Sequence, residues 1–314
     1  MLNRLGVEDV GYNRDTPDPP GGVIERDEEG NPTGLLFAKP NANILYSTLA
    51  RGPKLSYSDQ LNSIRQFLQE LNRFGITGVI DAGGGSQNFP EDYTVIGYLA
   101  KRGLLTVRVA YNLFTQRPKH EMEDFASWVN MTTPGQGDDF YRMNGAGEML
   151  VFSAADYENF AESSPELANA MENELKDVWW NSLSGIVGLS VSMQATMSQS
   201  TRFLNVFEEV NDGTPFNGIH WFFDHAETIS EHNIQRVRNL NGGIPVQNRM
   251  AFQCEHFVAR YGEEAATQAP QVRRMMDIGI PVGAGTDATR VSSYNPWLSL
   301  YWLITGKSVG GAPS

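Results

Sequence analysis

Residues 56–81, SYSDQLNSIRQFLQELNRFGITGVID, decide the fold. Leu61, Ile64, Phe67, Leu68, Leu71 and Phe74 recur at the spacing of one helix face. Ser56 with Asp59 makes a capping pattern at its start, and Gly75 stands where a left-handed residue ends a helix. A short apolar run to Asp81 follows at once and reads as a strand. The unit is helix, tight loop, strand.

The same alternation continues downstream. Apolar runs predict strands over 104–111, 148–152, 189–194, 219–225, 244–247 and 280–287. One helix opens at Ser164-Pro165 and carries Leu167, Met171, Leu175 and Val178. Another carries Ile234, Val237 and Leu240 and stops at Gly242-Gly243. A third carries Val272, Met275 and Met276 and stops at Gly279. Seven strands separated by helices predict an α/β protein with a parallel sheet, one strand short of an eight-stranded barrel. Pro245 and Pro281 sit awkwardly inside two of them. Upstream, GGVIERDEEGNPTGLLFA (21–38) reads as a hairpin. Residues 1–55 are therefore expected to form a loop-rich N-terminal segment, and 56–314 a barrel domain.

Composition sets the outer bounds. Of 314 residues, 40% are hydrophobic and 11% aromatic, too rich for disorder and enough for a large core. Lys and Arg number 24 against 37 Asp and Glu, a net charge of −13, which argues against nucleic acid or an anionic membrane as partner. The single cysteine, Cys254, excludes an internal disulfide and a cysteine-based zinc site. There is no apolar run long enough to span a bilayer, and MLNRLGVEDVGYN lacks the apolar centre of a signal peptide. A soluble, cytoplasmic protein acting on a small molecule is expected, with a homo-oligomer left open.

Catalytic groups of parallel barrels gather at the C-terminal ends of the strands. Those ends carry Asp81, Tyr111 or Asn112, Gln194, His225, Gln247 and Asp287, while Glu148 falls near the start of its expected strand. Alternation puts Ser190, Ser192 and Gln194 on one face. It sets His225 with Trp221 and Phe223, and His220 with Phe222 and Asp224, so a straight strand cannot bring both histidines to one site. An imidazole and a carboxylate at neighbouring strand ends, His225 and Asp287, suit a divalent ion that acidifies water. Asp287 could equally serve as general base. Taken singly, each also reads as an ordinary hydrogen-bonded or capping residue. Gln194, Arg249 and Trp297 are the candidate substrate contacts, although the aromatic stretch from Tyr294 to Trp302 reads mostly as core, with Trp297 able to wall a pocket. The Asp81–Gly85 loop reads as a turn, Gln253–His256 as helix, and His120 and His232 as surface.

Four segments in order, GITGVIDAGG (75–84), HWFFDHAETI (220–229), GGIPVQNRMAFQ (242–253) and GIPVGAGTDATRVSSYNPW (279–297), resemble the metal-dependent amidohydrolase superfamily, specifically amidohydrolase family 3. The resemblance implies a (β/α)8 TIM barrel holding one or two divalent ions, zinc first among them. It implies hydrolysis of amide-like, non-peptide C–N bonds by an activated water. On this resemblance the seven strands become the second to the eighth. His225 matches the family's sixth-strand histidine and Asp287 its eighth-strand aspartate. Glu148, in GAGEMLV, falls near the fourth-strand bridging ligand. The family's His-x-His pair is absent and would lie upstream of Met1, so the first strand is expected to be missing. Gln194 stands where the fifth-strand histidine belongs, a weak ligand for zinc. The chain stops at Ser314, soon after the last strand, as an incomplete member would. Two expectations follow: a metal-dependent hydrolase holding its ion on His225, Asp287 and Glu148, or an inactive barrel remnant that binds a small molecule or a partner chain. A glycosidase using the Glu148 and Asp287 carboxylates is a third, and it leaves His225 unexplained.

Overall fold

The computed structural model describes residues 1–19, 22–38, 43–83, 87–115, 117–154, 160, 167–183, 190–195, 197–289 and 292–311, with backbone alone at 43, 190–195, 197 and 198. The N-terminal part runs α1 (Arg4–Asp9), β1 (Gly22–Arg26), β2 (Pro32–Ala38) and α2 (Asn43–Arg51). Strands β1 and β2 form the expected antiparallel hairpin, with Ile24 opposite Leu36. Val10, Tyr12, Ile24 and Ile44 make a small core of their own beneath it.

Then α3 (Tyr57–Arg73), β3 (Gly78–Asp81), α4 (Thr94–Lys101), β4 (Arg108–Leu113), α5 (Glu121–Trp128) and β5 (Tyr141–Ala146) alternate. The Ser56 hydroxyl accepts from the Asp59 amide at 3.2 Å, and Gly75 takes φ 78°, as a cap and a terminating glycine should. After these come α6 (Met171–Val178), β6 (Ser190–Ala195), α7 (Met197–Gly213), β7 (His220–His225) and α8 (Glu231–Asn239). The chain continues through β8 (Ile244–Gln247), α9 (Met250–Tyr261), α10 (Glu263–Ala266), α11 (Val272–Asp277), β9 (Val282–Gly285) and α12 (Pro296–Thr305). Ser164, Pro165 and Leu189 lie outside the described residues.

Strands β3 to β7 form one parallel sheet in chain order, and β8 pairs in parallel with β9. A parallel bridge between Phe222 and Gly243 joins the two sheets. Sequential parallel pairing of this kind is the order a barrel requires. The described strands do not close into one, because β3 and β9 each pair along a single edge.

One expected strand is corrected. Residues 148–152 are not extended; the strand is the preceding stretch, Tyr141–Ala146. Leu150 and Val151 are apolar because they are fully buried in the core as loop, not because they alternate in a sheet. The correction moves Glu148 from the start of a strand to just past the end of one.

Trp221 and Phe223 of β7 pack against Phe207 of α7 with ring centroids 4.9 and 5.8 Å apart. The odd-numbered side chains of β7 therefore face the helices, and His220, Phe222 and Asp224 face the other way. Parallel neighbours in register share a face, so the positions of Ser190, Ser192 and Gln194 fall beside His220, Phe222 and Asp224. By the same rule Gln247 shares this inner face. Asp81 does not. It lies on the face of Val79, which packs against the cluster of Leu68, Leu71, Leu99, Leu105 and Val107. Its carboxyl is pushed up by burial, opposed by the Gly83 amide.

Candidate acid and imidazole site

The backbone at the end of β7 turns sharply. His225 takes φ 70° and Ala226 φ 53°, both in the left-handed region. That turn breaks the alternation that would have sent the His225 ring towards the helices. Instead His225 Nε2 lies 3.1 Å from Glu148 Oε1, with the imidazole only 3% exposed. Nδ1 of the same ring is 3.9 Å from Glu227 Oε1. Glu227 is in turn held by Arg249 through Nε at 3.1 Å and Nη2 at 2.8 Å, both residues 3% exposed. Burial pushes the Glu227 carboxyl up, but the Arg249 charge and then His225 outweigh it, and its pKa is lowered.

Asp224 lies one residue earlier on the inner face. Its pKa is raised well above the ordinary value, first by burial and then by the charges of Glu148 and Asp287, with His225 opposing. Its Oδ2 is buried without a hydrogen-bond partner. On β8, Gln247 Nε2 donates to Asp287 Oδ2 at 2.7 Å, and Gln247 Oε1 is likewise buried without a partner. Asp287 stands just past β9 with φ 48°.

Asp224 thus lies within electrostatic reach of Glu148, His225 and Asp287 at the strand ends. Arg249 sits behind His225 on Glu227, and Trp297 sits elsewhere. Its indole is 57% exposed, donates from Nε1 to the Phe74 carbonyl at 3.2 Å, and lines a cavity of about 310 Å³ with Ile76 and Ala284. Gln194 is in register with Asp224, but its side chain lies outside what is described. Sequence reasoning missed Asp224 and Glu227. The alternation that set Asp224 opposite Trp221 and Phe223 was the available signal for the first.

Among the described residues no group of three or more His, Cys, Asp or Glu side chains is arranged to hold a metal ion. The chemistry of the site nonetheless suits a divalent cation. A buried carboxylate oxygen without a partner, crowded by two further carboxylates, is the arrangement a positive ion would relieve.

A model of the amidohydrolase family matches residues 1–313. The amidohydrolase YtcJ of Bacillus subtilis (strain 168) is 50% identical over 44 residues, which are 14% of this chain and 8% of YtcJ. Among solved structures, an uncharacterized metal-dependent hydrolase from Pyrococcus horikoshii OT3 superposes with a TM-score of 0.67 at 18% identity. One from Pyrococcus furiosus gives 0.64 at 17%. Each match covers 96% of this chain and, respectively, 56% and 58% of the other, so the chain spans little more than half their length. At such identity the likeness is one of fold.

Proposed function

Because the chain belongs to the amidohydrolase family, we propose that it supplies most of the barrel and the acid–base machinery of a metal-dependent hydrolase. Its reaction would be cleavage of an amide-like, non-peptide C–N bond in a small molecule. In this reading β3 to β9 are the second to eighth strands of a (β/α)8 barrel, and residues 1–55 form a separate N-terminal unit. The observation that carries it is the part-buried His225–Glu148 contact at 3.1 Å beside the unpartnered Asp224 oxygen.

His225, Glu148 and Asp287 would hold the ion, which when bound lowers the pKa of water and polarises the scissile carbonyl. Asp287 takes a proton from the attacking water and returns it to the leaving nitrogen. Gln247 Nε2 holds Asp287 Oδ2 and so fixes where the other carboxylate oxygen points. The buried Glu227–Arg249 pair backs His225 on its Nδ1 side and limits rotation of the ring. Gln194, in register with Asp224, would meet substrate.

A second reading, a barrel that has lost its metal and binds a small molecule or a partner chain, is favoured by one observation. Among the described residues no three His, Cys, Asp or Glu side chains are arranged to hold an ion. Elemental analysis of the purified chain after incubation with zinc or manganese, beside His225→Ala, separates the two. About one ion per chain, lost in the variant, is expected. No ion in either protein would favour the second reading.

A further inference from the structure

Helix α12, PWLSLYWLIT, is apolar around its whole circumference and carries no charged residue. Asn295 accepts from the Trp297 amide at 3.0 Å, Pro296 opens the first turn, and Gly306 closes the last at φ 61°. One side of the helix is spent on the fold. Trp302 is buried, and the buried Ser299 hydroxyl accepts from Asn248 Nδ2 at 2.8 Å. The other side is open. Trp297, Leu300, Tyr301 and Ile304 are 57, 45, 48 and 73% exposed, and their spacing puts them on one face. A helix apolar all round is ordinarily covered all round.

These four side chains leave about 500 Å² of apolar surface in water, the upper part of the range for a monomer. Two features of the stripe select a second copy of this chain as its cover. The first is symmetry. The spacing is the same in both directions from the point midway between Leu300 and Tyr301. An antiparallel pair of α12 helices on a two-fold axis there sets Leu300 against Tyr301, and Trp297 against Ile304 of the other copy. Ile304 then falls beside the cavity of about 310 Å³ that Trp297 and Leu300 wall with Phe74 and Ile76. The second feature is charge. The chain carries −13, so most of its surface repels a copy of itself. Residues 291–306 carry no charge, and in the antiparallel pair Lys307 falls beside Tyr294 of the other copy rather than beside another cation. The pair buries about 1,000 Å² over both copies, the lower bound for a specific interface.

We propose that α12 is the interface of a reversible homodimer, its two stripes packed antiparallel about Leu300 and Tyr301. The proposal is independent of the acid and imidazole site. Sedimentation velocity of the full chain across roughly 1–100 µM tests it, the range that suits so small a contact. A concentration-dependent passage from monomer to dimer is expected. Ile304→Glu, at the most exposed position of the stripe, should leave the circular dichroism spectrum unchanged and abolish the dimer throughout that range. Leu300→Glu and Tyr301→Lys should each be monomeric alone. Mixed, they should associate one to one, because the two-fold pair sets the new carboxylate against the new ammonium on one side of the axis and keeps the parent contact on the other. A dimer that survives Ile304→Glu, or folded variants that stay apart when mixed, would overturn the proposal. So would a chain still monomeric at about 100 µM, which would give the stripe to a different partner.

Discussion

His225 Nε2 and Glu148 Oε1 meet at 3.1 Å although 77 residues separate them in sequence. Neither strand geometry alone nor sequence distance implies the contact. It exists because β5 ends at Ala146, two residues before Glu148, and because the chain turns into the left-handed region at His225. Removing the imidazole leaves Glu148 and Asp224 facing each other with less compensation. His225→Ala is therefore expected to lower the unfolding free energy by about 1–3 kcal/mol in urea at neutral pH. An unchanged midpoint would show that the contact contributes nothing in solution.

Asp224 is the reverse case. A buried carboxylate crowded by Glu148 and Asp287 costs stability in the metal-free chain. Asp224→Asn keeps the shape and removes the charge. It should raise the melting temperature of the metal-free protein while weakening uptake of zinc or manganese. A variant that melts lower than the parent would argue against the crowding.

The Glu227–Arg249 pair is two-pronged and 3% exposed on both sides. Breaking one partner of such a pair leaves an uncompensated buried charge, at a cost of about 3–5 kcal/mol. Arg249→Met should show that loss in chemical denaturation, and adding Glu227→Gln should restore a large part of it. Equal stability of the single and double variants would mean that the charge, once unpaired, reaches water.

Acid stability has an identifiable contributor between α6 and α7. Arg202 Nε lies 2.5 Å from Glu172 Oε1, and this hydrogen bond holds the Glu172 carboxyl below its ordinary value of 4.5. A lowered folded pKa gives stability that is present above the unfolded value and is lost as pH falls through the folded one. Glu172→Gln should therefore cost up to about 1 kcal/mol at pH 6, since solvent screens a partly exposed pair. The difference should shrink below pH 4.5. Unfolding curves taken between pH 3 and 6 (roughly the range that linkage sets) would read this directly, and a gap that persists at the acid end would assign it to something else.

The sequence by itself determined the order of elements. Helix periodicity, the Ser56 cap and Gly75 set α3 and its turn to within a residue or two, and β8 appears as expected despite Pro245. These are local matters of spacing and backbone preference, legible wherever they occur. The strand ends marked His225 and Asp287, and the family resemblance added Glu148, yet the strand expected at 148–152 was misplaced, because a buried loop and a buried strand are equally apolar. Only the tertiary structure decided which face of each strand turns inward, since that depends on the side from which the helices pack. It alone could bring Asp224 beside Glu148 and Asp287, swing His225 out of alternation, and tie Arg249 to Glu227. Those relationships join residues far apart in the chain through the packing of whole strands, and no local pattern encodes them.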